Sequence, residues 1–155
     1  MTRLLAVAVL LSAIGASAPA RSDPMSSMHF LVGDWTCTYH QGPAKVTYKA
    51  TFAYDLAGNW LRERDVWTGG GGDEGLFTYQ PKQHAWIISV VEPDRSLTVF
   101  RGTGSDFAHI VYRSIYPDTS MTEHIDRTSP TQYTIHFSQT ANGKTTKSTD
   151  VCVHS

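Results

Sequence analysis

One segment of the chain reads Val46-Thr47-Tyr48-Lys49-Ala50-Thr51-Phe52-Ala53-Tyr54, in which apolar and polar side chains alternate. Successive side chains of a β-strand point to opposite faces, so the apolar members of this segment share one face. The segment therefore predicts a strand over 44–55 with one buried side. Most of the remaining chain repeats this period of two, and helical periodicity is confined to a short turn between Pro24 and Val32.

Short turn sequences separate the other alternating segments at intervals of about 8 to 13 residues. Gly, Asn and Pro supply the special backbone angles of these turns, as in Gln41-Gly42-Pro43 and Ala141-Asn142-Gly143. Strands are predicted at 34–41, 44–55, 59–68, 74–80, 84–92, 96–103, 106–116, 119–128, 131–139 and 145–154. A meander of this kind leaves two open edges unless it closes. The predicted fold is all-β, a single closed antiparallel up-and-down barrel of about ten strands with a short N-terminal helical turn.

The first 20 residues have the pattern of a secretory signal peptide. A basic start at Arg3 precedes an apolar run from Leu4 to Ile14 and a small-residue zone from Ala16 to Ala20. The alternative, a membrane anchor, needs roughly 20 apolar residues. We therefore expect a signal peptide over 1–20, one barrel domain over 21–155, and a secreted or periplasmic protein.

Charge and cysteine content narrow the possible partners. The chain has 13 Lys and Arg against 14 Asp and Glu, a net charge of −1, so no basic surface for nucleic acid or an anionic membrane is expected. Its only two cysteines, Cys37 and Cys152, lie near the two ends of the expected domain and predict a disulfide that clasps the first strand to the last. Alternation places Cys152 on the same strand face as Asp150 and His154. Either the barrel interior is partly polar there, or a bulge near Cys152 restores an apolar inner face.

Motifs for catalysis and for metal binding are not found in the sequence. It contains no G-x-S-x-G elbow, no H-E-x-x-H pair and no spare cysteine nucleophile, so no catalytic residue and no metal ligand is predicted. Pairing the late strands puts His124 opposite His136, and both are expected to face water. Glu123 and His124 are neighbours in a strand, so they point to opposite faces.

Aromatic residues and two arginines are the candidates for contact with a ligand. Arg62 lies on a strand that carries charge on both faces, and Arg101 alternates with apolar Leu97 and Val99, where a lone cation is unusual. An inward arginine would bind an anionic head group, whereas the alternative is an internal ion pair with Glu63 or Asp65, or an outward arginine at a bulge. The predicted ligand-binding residues are Trp35, Phe52, Tyr54, Arg62, Trp86, Ile88 and Arg101.

The opening Phe30-Leu31-Val32-Gly33-Asp34-Trp35-Thr36-Cys37 resembles that of lipocalin-like, calycin-type barrels. Together with Asn59-Trp60-Leu61-Arg62, Phe77-Thr78-Tyr79, Ala85-Trp86 and the terminal cysteine, it resembles a family of exported bacterial proteins with a lipocalin-like domain of unknown function. The resemblance implies a barrel with a central cavity, closed at one end by Trp35. In lipocalin-like barrels an Arg or Lys near the end of the last strand packs over this Trp, and here only Lys147 and His154 lie near that place.

The resemblance extends distantly to nitrobindin-type barrels, which hold haem through a histidine. Three functions follow, in order of preference. The first is binding of a small, mostly hydrophobic or amphipathic molecule, and one form of this hypothesis gives the molecule an anionic group. The second is a structural or protein-interaction barrel with a filled interior. The third is haem binding. No cofactor is expected under the first two, and the sequence does not predict the oligomeric state.

Overall fold

A computed structural model describes residues 23–117 and 120–155. The predicted signal peptide over 1–20 lies outside these residues, as does the turn residue Asp118. Within them the chain forms ten strands, and their bounds are β1 Gly33–Gln41, β2 Ala44–Asp55, β3 Trp60–Trp67, β4 Glu74–Gln80, β5 Ala85–Val91, β6 Leu97–Thr103, β7 Val111–Tyr116, β8 Met121–Ser129, β9 Gln132–Ala141 and β10 Lys144–His154.

The strands form one closed antiparallel barrel in which each strand pairs with its neighbours in sequence, and β1 pairs with β10 to complete the circle. The all-β, up-and-down barrel predicted from the sequence is confirmed. The bounds of β2 agree with the prediction at both ends. Closure provides hydrogen-bonding partners for the strand edges that an open meander would expose.

One predicted strand, 106–116, is wrong over its first five residues. Phe107–His109 form a 3₁₀ turn instead, and β7 begins only at Val111. The Asp106 carboxylate accepts hydrogen bonds from the Ala108 backbone, at 3.2 Å, and from the His109 ring, at 2.8 Å, in the manner of a helix cap. Capping by Asp106 therefore overrides the alternating pattern at this point.

A 3₁₀ helix over Pro24–Leu31 covers one end of the barrel, close to the predicted helical turn. Its side chains Met25, Met28 and Leu31 are buried, and it meets the turn at 107–109 where Ser27 Oγ accepts a hydrogen bond from the Phe107 backbone at 3.1 Å. We call this end the closed end and the opposite one the open end. Among the described residues, no helix has both the length and the hydrophobicity needed to cross a membrane.

The disulfide joins Cys37 to Cys152 across the seam between β1 and β10, where the two residues are direct partners in the register. This confirms the predicted clasp, with Cα atoms 4.0 Å apart. The register of β10 with both neighbours runs without a shift, so no bulge restores an apolar inner face. Of the two alternatives for this strand, the partly polar interior is correct, since Ser148 is buried with Cys152 while Val153 is 47% exposed.

His154 lies over the plug tryptophan. Its ring meets that of Trp35 edge to face, with the ring centroids 4.9 Å apart. Gly33 is required beneath it, because its φ is +123° and a Cβ there would approach His154 Nε2 to 2.9 Å. His154, near the end of β10, therefore packs against both Gly33 and Trp35 at the start of β1.

Candidate functional site

The interior of the barrel contains a cavity of about 270 Å³. Towards the closed end its wall is apolar, with Leu31, Phe52, Phe77, Ile88 and Phe100. At the other end it reaches the surface, because its lining includes the half-exposed Asp73 and the exposed Glu92. The barrel interior is therefore partly empty and connected to solvent at its open end.

Of the predicted ligand-binding residues, two line the cavity. Phe52 is 3% and Ile88 is 1% exposed to solvent, and both side chains border the empty space. Three of the other predicted residues lie at the closed end of the barrel, and two lie on its outer face. We call these the closed-end group and the outer group.

Trp35, Tyr54 and Trp86 form the closed-end group. The Trp35 Nε1 donates a hydrogen bond to the Leu31 carbonyl at 2.7 Å, and the Tyr54 hydroxyl donates to the Met25 carbonyl at 3.0 Å. Trp86 is fully buried with its ring 5.3 Å from that of Phe107. Trp35 and Tyr54 hold the N-terminal 3₁₀ helix to the barrel end, whereas Trp86 packs against the turn at 107–109. None of the three lines the cavity.

Of the orientations left open for the two arginines, the structure has both pointing outward. Arg62 lies on the outer face of β3, where its guanidinium contacts Asp55 at 2.8 Å and Glu74 at 3.8 Å. Arg101 is exposed on the outer face of β6, whose inner positions are Phe100 and Gly102. Alternation correctly groups Arg101 with Leu97 and Val99, but that face points to solvent. Isolated aliphatic side chains are common on protein surfaces, so Leu97 and Val99 did not identify the inner face.

The inward charges of β3 are carboxylates. Glu63 and Asp65 alternate with outward arginines, and each is only 8% exposed. Glu63 is the direct partner of Phe52 on β2 and of Gly75 on β4. A Cβ on Gly75 would lie 2.7 Å from Glu63 Oε2, so the glycine leaves the space that this carboxylate occupies.

Besides the exposed Glu92 at the mouth, three more carboxylates face the same space from other parts of the barrel. Asp150 projects from β10, Glu123 from β8, and Asp73 from the loop that connects β3 to β4. We call Glu63, Asp65, Asp73, Glu123 and Asp150 the acidic cluster. Among the described residues that line the cavity there is no Lys, Arg or His, so no side-chain cation of the lining balances this cluster.

The hydrogen bonds of the acidic cluster leave oxygen atoms unused. The Tyr48 hydroxyl donates to Asp150 Oδ2 at 3.2 Å, and Trp67 Nε1 donates to Asp73 Oδ2 at 3.4 Å. Asp65 Oδ1 and Asp150 Oδ1 are buried and have no hydrogen-bond partner within the described part of the chain. Buried polar atoms are nearly always paired, so these two oxygens are available to accept hydrogen bonds from water or a ligand in the cavity.

Burial and mutual repulsion make these carboxyl groups hard to ionise. Desolvation, followed by repulsion from Asp73 and Asp150, raises the pKa of Asp65 to about 8. Desolvation also raises the pKa of Glu123 to about 7 and that of Asp150 to about 6. The pKa of Glu63 is raised well above its usual value for the same reasons. At pH 7 Asp65 is therefore mostly protonated and Asp150 mostly ionised, so the acidic cluster is only partly charged.

Aromatic rings stand beside the carboxylates at the open end. The Tyr48 and Trp67 rings are 4.4 Å apart, and the Tyr39 ring meets Trp67 edge to face at 6.1 Å. All three line the cavity. Aromatic ring faces carry negative electrostatic potential, which has the same sign as that of ionised carboxylates.

The seven histidines all fall within the described residues, and none lines the cavity. His124 and His136 are direct partners on β8 and β9, as predicted, and both approach Asp126 on the outer face, at 3.3 and 3.6 Å. Glu123 points inward, opposite to His124, so the two do not act together. Across residues 23–117 and 120–155, no three His, Cys, Asp or Glu side chains converge in a way that would hold a metal ion.

The sequence contained signals for the acidic cluster. Glu63 and Asp65 share the face of Leu61 on β3, and Asp150 shares that of Cys152 on β10. Asp73 follows the glycine run at 69–72 and carries no periodic signal. The sequence therefore predicts which strand face several of these carboxylates occupy, but it does not predict that they lie close together in the barrel.

Comparison with protein-family models and with curated protein sequences finds no match to this chain. The closed ten-strand antiparallel barrel is consistent with a lipocalin-like fold. The fold and the cavity are thus the basis for a functional proposal.

Proposed function

We propose that the chain is a secreted or periplasmic, lipocalin-like protein that binds a small, mostly hydrophobic molecule inside its barrel. The observation that carries this proposal is the cavity of about 270 Å³, bounded towards the closed end by apolar side chains and connected to solvent at the open end. Ligand sites in proteins are typically concave and mostly apolar, with a few polar groups that orient the ligand. A cavity of roughly 150 Å³ already holds benzene.

Export is supported by the sequence pattern of residues 1–20 and is compatible with the disulfide. An anionic group on the ligand loses its support, because Arg62 and Arg101 both lie outside the barrel and the cavity wall carries only acidic charges. The second function, a structural barrel, was expected to have a filled interior, which the cavity disfavours. Haem binding has no histidine in the cavity wall to support it.

Indole is a suitable first probe, because it is neutral, small and rigid. We expect saturation-transfer difference NMR to detect its binding to the oxidised protein and chemical-shift mapping to place it beside Phe52 and Phe100. Ile135 lines the cavity and is half-buried. The variant Ile135→Trp should therefore occlude the space and weaken indole binding by about tenfold or more, since a filled cavity has no room for the ligand.

The matched control is Ile115→Trp, because Ile115 is 52% exposed on the outer face of β7. This variant should bind indole like the unmodified chain, and thermal unfolding should confirm that both variants are folded. Absence of saturable binding, or equal loss in the two variants, would refute the proposal. An absorbance scan of the purified protein for a haem band tests the third function directly.

A further inference from the structure

We propose that the cavity selects a cationic ligand, namely a protonated organic amine attached to an apolar or aromatic body. This inference rests on the proposed function, since it assigns the charge of the molecule that the barrel binds. The amine would lie among the acidic cluster and the rings at the open end, and the apolar body would extend towards Phe52, Ile88 and Phe100.

The first support is the sign of the charge that lines the cavity. Its carboxyl groups belong to Glu63, Asp65, Asp73, Glu92, Glu123 and Asp150, and no cationic side chain of the described residues lines it. The remaining titratable groups of the wall are the hydroxyls of Tyr39, Tyr48 and Tyr133. An anionic ligand would make these groups still harder to ionise, whereas a cation would stabilise their ionised form at several positions at once.

The second, independent support is the pair of unpartnered oxygens. Asp65 is 92% buried, because its exposed fraction is 8%. It shares a hydrogen bond with the Asp73 carboxyl group, but its Oδ1 has no partner in the described chain. Asp150 Oδ1 also has no hydrogen-bond partner in the described chain, although the Tyr48 hydroxyl donates to Asp150 Oδ2. An ammonium group supplies up to three N–H donors and is the type of partner that such oxygens lack.

The third support is the position of the aromatic rings. Tyr48 and Trp67 lie with centroids 4.4 Å apart, and Tyr39 is 6.1 Å from Trp67. Tyr48 and Trp67 also donate hydrogen bonds to members of the acidic cluster, so rings and carboxylates form one continuous wall. A cation that approaches a ring face gains additional electrostatic attraction, most strongly with Trp.

An organic cation fits this wall better than a compact metal ion does. The carboxylates come from β3, β8, β10 and the loop after β3, and in the described residues no three of them converge on one point. Divalent metals require several oxygen ligands at a common centre. Dispersed carboxyl groups beside an apolar chamber instead match an amphipathic amine.

Proton release should accompany binding. Without a ligand, burial keeps the pKa of Asp65 at about 8, that of Glu123 at about 7 and that of Asp150 at about 6. A bound ammonium favours the ionised carboxylates and displaces their protons. Affinity for the amine should therefore increase as pH rises from about 6 to about 8.

Three indole derivatives separate charge from shape, because they share one ring system. Tryptamine is cationic at neutral pH, tryptophol is neutral, and indole-3-propionate is anionic. In titration calorimetry of the oxidised protein we expect tryptamine to bind at least about tenfold more tightly than tryptophol, and indole-3-propionate to bind most weakly. The enthalpy measured in buffers of different ionisation heat should report proton release with tryptamine alone.

Asp65→Asn should remove most of the preference for tryptamine over tryptophol and leave tryptophol binding unchanged within about twofold. The control variant Glu74→Gln removes an exposed carboxylate near the same end of the barrel, outside the cavity, and should retain the full preference. If Asp65→Asn does not fold, the pH series on the unmodified chain still decides the question.

The outcomes distinguish this inference from the proposed function. If tryptophol and tryptamine bind equally, or if only indole binds, the cationic assignment is overturned and the binding function stands. An affinity for tryptamine that is flat or decreases between the two pH values also overturns it. If neither indole nor any derivative binds, both proposals fall.

Discussion

The acidic cluster should make the ligand-free protein less stable as pH rises, and Asp65→Asn should remove the part of this loss that comes from Asp65. The pKa of Asp65 is about 8 in the folded chain against 3.8 for an ordinary Asp, because burial and nearby carboxylates disfavour its ionised form. A group with a raised pKa binds its proton more tightly when folded. Its stabilising effect is therefore complete below about pH 4 and is lost as pH increases to about 8.

The magnitude follows from the size of the shift. Each pKa unit corresponds to about 1.4 kcal/mol, so the shift of Asp65 from 3.8 to about 8 sets an upper bound of roughly 6 kcal/mol. Part of the shift comes from repulsion by Asp73 and Asp150, and these groups themselves titrate in the same range. We assign about half of the bound to burial alone. The contribution of Asp65 to the free energy of unfolding should then fall by roughly 2 to 3 kcal/mol between about pH 4 and about pH 8.

Urea unfolding of the oxidised, ligand-free chain, followed by tryptophan fluorescence at about pH 5 and about pH 8, measures this effect. The free energy of unfolding of the unmodified protein should decrease between these values, and that of Asp65→Asn should decrease by roughly 2 kcal/mol less. Glu74→Gln, which removes an exposed carboxylate, should follow the unmodified chain. Parallel pH curves for the unmodified protein and Asp65→Asn would refute the reasoning.

Three further predictions concern the scaffold. Replacing both Cys37 and Cys152 by Ala opens a loop of 115 residues and should lower the free energy of unfolding by about 4 kcal/mol, measured in urea; a change below about 1 kcal/mol would contradict this. Gly33→Ala should cost about 1 to 3 kcal/mol because of its φ of +123° and its approach to His154, and adding His154→Ala should recover only part of the loss, since the backbone angle remains. Trp35→Phe removes the buried donor to a backbone carbonyl at 2.7 Å and should cost about 1 to 3 kcal/mol in the same assay; an unchanged midpoint would count against a structural role.

The strands were predictable because their signal is local. Side-chain alternation and turn residues are properties of neighbouring positions, and β2 and β4 have the predicted bounds at both ends. The closure of the sheet followed from the short connections and the two cysteines. The turn at 107–109 was missed because a single capping carboxylate, Asp106, outweighs a weak alternating pattern.

The candidate site was harder to predict, because alternation defines two faces but does not say which one is inside. On β6, Leu97 and Val99 suggested that the face of Arg101 points inward, yet the inner face carries Phe100 and Gly102. The sequence offered a better criterion on β3, where the short turn after β2 fixes the register. Direct partners on paired strands lie on the same face, so Glu63 must point inward with its partner, the buried Phe52.

The same reasoning connects barrel closure to the acidic cluster. Because Cys152 pairs with Cys37 inside the barrel, alternation along β10 necessarily turns Asp150 inward as well. An aliphatic residue at that position would avoid the cost of a buried carboxyl, as would one in place of Glu63 or Asp65. The chain instead retains several such groups around one open cavity, each destabilising when ionised without a partner. A cationic ligand would supply that partner, so stability of the ligand-free protein and affinity for an amine should change in opposite directions when these carboxyl groups are neutralised.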